Sequence, residues 1–476
     1  MELEKFQNRH IGINKEDEKL MLEKINVKSL DELIDQTIPK NILLKEGLRL
    51  PEALSEHEYA EEMALKAAKN RVCATYIGMG WYDTICPAPI FRNVFENPVW
   101  YTSYTPYQAE ISQGRLEALM NFQTMVSDLT GLPLSNCSLL DEATAGAEAA
   151  TMMFALRSRD QMKSGANKLF VDKEIFPQTL AVINTRMAPQ GIEVVVGDYK
   201  TFQFDGSFFA AIVQYPNSNG NIVDYTEFTQ KAHDNECKVA VATDLMALTL
   251  LVPPGEWGAD IAFGSSQRFG IPMFYGGPSA GFFATRDEYK RNIPGRIIGL
   301  SKDAYGKPAF RMALQTREQH IKREKATSNI CTAQALLATM SGFYAVYHGP
   351  KGLEAIAKRI HSVTSLMADE LIDLGYKVLN EQYFDTLKIA LPAGISQYSM
   401  IEFAEMRDLN LRYYEAGEVG LSLAQTITEY QAHELLAVFA MAACRMDECM
   451  IADLPVKMTI KAGFLRKRTY LEPEVL

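Results

Sequence analysis

The rhythm of hydrophobic and polar positions changes twice along the 476-residue chain. In the opening stretch, DEKLMLEKINVKSLDELIDQ places apolar residues at three- and four-residue steps, the period of an amphipathic helix. Pro39 and Pro51 punctuate the next segment, and SEHEYAEEMALKAAKN opens with Ser55 as an N-cap and acidic residues in its first turn. Residues 1–70 therefore read as a helical arm that packs on something larger. Over 71–345 the pattern becomes short apolar runs between helical stretches. GRLEALMNFQTMVSDLTG predicts a helix ending at Gly131, and a second helix opens near DEATAGAEA. KLFVD, IEVVVGDY, FFAAIVQYP, KVAVATD, ADIAFGSS and AGFFATR read as strands, with helices from Pro177 and Asp224 between them. That alternation predicts a mostly parallel sheet covered by helices on both faces, with right-handed crossovers. Residues 346–455 mix a long helix, the strands KVLN and TLKIAL, and the late helix HELLAVFAMAACR, which predicts a smaller α/β domain. Residues 456–476 are basic, then proline-broken, and read as a linker or truncated junction.

Composition narrows the class without naming a function. Apolar residues make up 47% and charged residues 22%, as in a folded soluble enzyme. No apolar run reaches the roughly 18 residues of a membrane span, and the charged start MELEKFQNRH does not read as a signal peptide. A net charge of −11 argues against general nucleic-acid or anionic-membrane binding. The seven cysteines form no CxxC pair, and a reduced state in a reducing compartment is expected. Bacterial cytosol is the favoured location, with the mitochondrial matrix as the alternative. His233 and His320 stand alone, and no cluster has metal-ligand spacing, so no metal is expected.

In open α/β sheets ligands bind beyond the carboxyl ends of the strands. There, Asp244 follows VAVAT, and Gly264 to Arg268 follow DIAF. Thr144, Ala145 and Gly146 stand at a helix start, where small residues leave N–H groups for an anion. Taken singly, these are ordinary caps and turns. In order, they match a pyridoxal-phosphate enzyme of the aspartate-aminotransferase fold: a phosphate cradle, a carboxylate for the pyridine nitrogen, then a Schiff-base lysine. The lysine is missing. Gln267 stands in its place, and an amide cannot form an aldimine.

The stretches WYTSYTPYQAEISQGRLEALMNFQTMVSDLTGL, SLLDEATAGAEA, GSSQRFGIPMFYGGPSAGFFATR, PGRIIG and LQTREQHIKREKATSNICTAQALLA closely resemble the P-protein family of the glycine cleavage system. RHIG and YIGMGWYDTICPAPIFRNVFENP resemble it as well. The resemblance is to the N-terminal half, and LRKRTYLEPEVL is similar to the junction into a second half that carries the lysine. It implies fold type I: a large aminotransferase-like domain with a mostly parallel sheet, plus a smaller α/β domain. It also implies an enzyme that decarboxylates glycine on pyridoxal phosphate and passes the aminomethyl group to the lipoyl arm of H-protein. This half would be inactive alone, would complete the active site of the lysine-bearing half, and would leave the covalent cofactor to that half. The implied partners are that half, lipoylated H-protein and glycine, in a homo- or hetero-oligomer.

Tyr104, Tyr107 and Gln108 in YTPYQAE are expected to face the shared pocket; half-buried packing is the other reading of the tyrosines. Thr327, Ser328 and Asn329 precede a helix and suit a phosphate on the neighbouring half, or simply a cap. Thr144, Asp244 and Gln267 outline a vestigial pocket. Arg317, Lys322, Arg323 and Lys325 form a basic run that is either a partner surface or a solvated helix face, and Lys325 is poorly placed for a Schiff base. The rival function is a self-associating, non-catalytic structural or regulatory module.

Overall fold

The computed structural model describes residues 10, 12–102, 106, 108–274, 276–277, 279–315, 319–326, 328–330, 333–448, 451 and 456–472. Two compact units are present, Met1–Val72 and Cys73–Leu476.

The first unit holds the helices Lys15–Lys24, Leu30–Thr37 and Glu56–Ala67. Each is started by a side-chain cap. Asn14 accepts from the Asp17 N–H, Ser29 from the Glu32 N–H, and Ser55 forms a reciprocal box with Glu58. None of the three helices has a buried residue. Caps and acidic first turns, rather than a core of their own, specify them, and Leu20 and Leu65 stay well exposed.

The second unit contains fifteen strands among the described residues. They are β1 (Ala74–Thr75), β2 (Leu134–Ser135), β3 (Lys168–Asp172), β4 (Glu193–Gly197), β5 (Phe208–Tyr215), β6 (Lys238–Thr243), β7 (Ile261–Ser265), β8 (Gly281–Thr285), β9 (Ile297–Lys302), β10 (Pro308–Ala313), β11 (Lys377–Val378), β12 (Thr386–Ala390), β13 (Leu409–Asn410), β14 (Arg412–Tyr413) and β15 (Val419–Ser422). The main sheet has the order β2-β8-β7-β6-β5-β3-β4. From β4 to β7 every neighbouring pair is parallel, and β8 runs antiparallel to both of its neighbours. Side-chain alternation splits the core across the sheet. Val213 and Val241 join the cluster under Phe122 of helix Gln113–Thr130, whereas Ile212 and Ala240 join the cluster under Met153 of helix Glu142–Ala155. Because both faces are covered, these strands read as continuous apolar runs. Gly131 closes the first of those helices in the left-handed region at φ 69°, which a glycine reaches without a Cβ penalty.

The smaller lobe is an antiparallel sheet, β11-β12-β15-β14, packed with helices Gln397–Met406 and Glu429–Ala442. The long helix Ala335–Asp373 breaks at Gly349, just before Pro350, and its second part packs into this lobe's core through Val363, Met367 and Leu371. Strand β1 comes from far upstream and pairs with β13. The hairpin β9–β10 was not readable from the apolar pattern: only Ile297, Ile298 and Met312 of its strands are buried, and Leu300 and the turn residue Tyr305 are exposed.

Residues 456–472, read from sequence as a linker, lie as a strap over the second unit. Thr459 N–H donates to His361 Nε2 at 3.0 Å, and Val252 N–H donates to the Phe464 carbonyl at 2.9 Å. The Arg466 guanidinium donates to the carbonyls of Asp128, Leu129 and Leu248, so it caps the C-terminus of helix Gln113–Thr130.

Candidate functional site

Parallel strands deliver their carboxyl ends to one edge of the sheet. There β6 runs into Asp244, β7 runs into Gln267 and Arg268, and helix Glu142–Ala155 begins. Gln267 is fully buried. Its Nε2 donates to the Tyr82 carbonyl at 2.8 Å and to the Ile271 carbonyl at 2.7 Å, while Oε1 accepts the Tyr82 N–H at 3.1 Å. The amide thus holds the backbone of Tyr82 through both of its polar groups.

Tyr82 in turn lies beneath Arg268, whose guanidinium carbon is 3.7 Å from the ring centroid. Arg268 Nη1 donates to Asp244 Oδ2 at 2.5 Å and also to Asp385, and Nη2 donates to the Leu423 carbonyl at 2.9 Å. Burial works against this charge, but the carboxylates of Asp244 and Asp385 outweigh it and hold the guanidinium protonated. Burial likewise pushes the Asp244 carboxyl up, with Arg268 pulling in the opposite direction.

At the helix start, Asp141 is the N-cap: its Oδ1 accepts the Thr144 N–H at 2.7 Å, and the Thr144 hydroxyl returns to the Asp141 backbone. The Thr144 N–H expected to face an anion is therefore taken. Glu142, the first helical residue, accepts from the Thr179 hydroxyl at 3.3 Å. Burial, reinforced by Asp244 and Asp141, raises its pKa to about 8. The space left between Glu142, Asp244, Arg268 and Asp385 is a cavity of about 40 Å³. For scale, an engineered cavity of about 150 Å³ takes up one benzene ring.

Pyridoxal phosphate requires an amine, a carboxylate free for its ring nitrogen, and donors for its phosphate. Here the amine is replaced by an amide tied to backbone, the carboxylate is paired with arginine, and a carboxyl stands at the helix start. The residues of this pocket do not fit the cofactor.

Among the other expected site residues, Gln108 is exposed just ahead of the turn Ala109–Ile111. Ser328 Oγ accepts the Ile330 N–H at 3.2 Å, a local turn, and Asn329 is exposed. Tyr104, Tyr107, Thr327 and Arg317 lie outside the described residues. Lys322, Arg323 and Lys325 are exposed. His233 does not stand alone, since its Nε2 is 2.8 Å from Asp260 Oδ2. Sequence reasoning missed Tyr82, Glu142 and Asp385, and named Arg268 at the strand end without giving it a role. Arg268 was signalled by its place next to Gln267, but nothing local marks Asp385, 117 residues further on.

A family profile described as Glycine cleavage system P-protein matches residues 8–439. A glycine dehydrogenase (decarboxylating) of Bacteroides thetaiotaomicron is 62% identical over 475 residues, covering 100% of this chain and 50% of that protein. One from Nostoc punctiforme is 55% identical over 440 residues, covering 92% of this chain and 44% of its own length. The chain thus spans about half the length of these curated relatives. The crystal structure of a glycine decarboxylase (P-protein) of the glycine cleavage system, in inhibitor-bound form, superposes with a TM-score of 0.81 at 29% identity, over 90% of this chain and 99% of that one. A glutamate decarboxylase from Lactobacillus brevis shares the fold alone, with a TM-score of 0.62 at 12% identity over 87% of this chain and 98% of its own. The architecture is that of pyridoxal-phosphate enzymes of fold type I. With this sheet, this pocket and a profile spanning residues 8–439, the chain belongs to the glycine cleavage system P-protein family.

Proposed function

We propose that this chain is the lysine-less N-terminal half of a glycine decarboxylase, inactive alone and completing the active site of a lysine-bearing half. The observation that carries the reading is Gln267, an amide fully committed to the Tyr82 and Ile271 backbone where a Schiff-base amine is required. On this reading pyridoxal phosphate is anchored in the other half and, when bound there, supplies the electron sink for decarboxylating glycine. This chain supports that half and walls one side of its pocket. Tyr104, Tyr107 and Gln108 are assigned to the substrate side, and Thr327, Ser328 and Asn329 to the cofactor phosphate. Lipoylated H-protein takes the aminomethyl group.

The test combines activity with chemical mapping. The chain is assayed for H-protein-dependent exchange of carbon dioxide with glycine, alone and mixed with a lysine-bearing second half. Borohydride reduction in the presence of pyridoxal phosphate, followed by peptide mass analysis, locates the adduct. Exchange in the mixture only, with the adduct confined to the second half, is expected. Exchange by this chain alone, or a stoichiometric adduct on one of its own lysines, would overturn the reading.

A further inference from the structure

Arg268 belongs to the loop after β7 in the large lobe, yet only one of its three acceptors, Asp244, lies in that lobe. Asp385 directly precedes β12, and Leu423 directly follows β15, in the adjacent small-lobe sheet. One planar cation therefore joins the two lobes, with Tyr82 as its stacking floor and Gln267 fixing that floor from behind. Asp385 is itself held in place: Thr386 Oγ1 donates to it at 2.8 Å and lies 2.8 Å from Ser422 Oγ.

We propose that Arg268 is a built-in surrogate for the cofactor ring. As a flat cation on an aromatic floor, it takes the Asp244 oxygen that a pyridinium would use and pins the small lobe to the large one, so that this half is shut without any cofactor. The chemistry is economical. A protein without the aldimine lysine would otherwise keep Asp244 as a half-buried carboxylate with no counter-ion, which is unfavourable. Guanidinium replaces pyridinium in shape and charge, and it cannot dissociate or lose its proton at physiological pH. Its fork also reaches two further acceptors that a ring nitrogen with a single N–H cannot. Closure of this half is thereby made independent of ligand.

The test uses the full chain and two independent readouts, neither of which needs the second half or activity, so its outcome is separate from that of the proposed function. Gln267→Lys returns an amine but leaves Arg268 in place; with added pyridoxal, which carries no phosphate to meet Glu142, no borohydride-reducible adduct at residue 267 is expected. Gln267→Lys combined with Arg268→Ala clears the ring position and is expected to give an adduct at the new lysine. An adduct at residue 267 in the single variant overturns the proposal, as does a folded double variant that takes up no pyridoxal there. The second readout is amide hydrogen exchange of Arg268→Lys, which keeps the charge but loses the fork. Residues 384–388 and 421–425 are expected to exchange roughly tenfold faster while β3 and β5 are unchanged. Unaltered exchange in those two segments overturns the latch, and this variant decides the matter if the double variant does not fold.

Discussion

A carboxyl at the first position of helix Glu142–Ala155 is favoured by the positive helix end and disfavoured by removal from water, and at Glu142 removal from water wins. Its pKa rises from the usual 4.5 to about 8. Between those values the folded chain holds a proton that the unfolded chain releases, so stability falls as pH rises through that window. Glu142→Gln keeps a partner for Thr179 and removes the titration. Urea midpoints of variant and parent should agree near pH 5 and separate toward pH 8. There the variant is expected to be more stable by on the order of 1–2 kcal/mol, after discounting for solvent in the cavity. His361 has the opposite sign: burial lowers its pKa, so it contributes stability above its usual 6.5 that is lost as pH falls through the lowered folded value. Comparing variant with parent at each pH cancels that contribution. At this scale Gln267 was legible from sequence, because an amide's inability to form an aldimine depends on residue type alone. Arg268 was not, because its role depends on where a long side chain ends.

At the scale of elements, the strands of the main sheet were legible because burial on both faces writes uninterrupted apolar runs. The lobe contacts were not, and glycine shows why. Gly220 sits at φ +87°, and a Cβ there would come within 2.3 Å of the Thr386 carbonyl at the start of β12. In the fold, SNGN is a close approach of a large-lobe loop to the small-lobe sheet. Gly220→Ala is expected to cost about 3 kcal/mol or more, from positive φ and overpacking together, as a lowered urea midpoint with an unchanged slope. An alanine variant with parental stability would show that the loop yields freely.

At the scale of the second unit, the strap over 456–472 makes the clearest demand. Arg466 satisfies carbonyls at the end of helix Gln113–Thr130 that no water replaces easily. Arg466→Ala should lower stability by about 2–4 kcal/mol and free the backbone around the already exposed Lys467 and Arg468 for trypsin cleavage while the sheet stays resistant. A strap that is equally protected in parent and variant would refute its dependence on this cap.

The central strands and helices of the main sheet, the layered α/β class, the family likeness and the absence of a Schiff-base lysine beside Asp244 could all be read from the chain before it was folded. Each of these depends on residue type, or on periodicity within a few turns of chain. That the pocket is filled by the protein itself emerged only in three dimensions. Folding brings together Tyr82, Asp244, Arg268 and Asp385, which stand far apart in the chain, and a buried charge is fixed by the partners that surround it in space rather than by its neighbours in sequence.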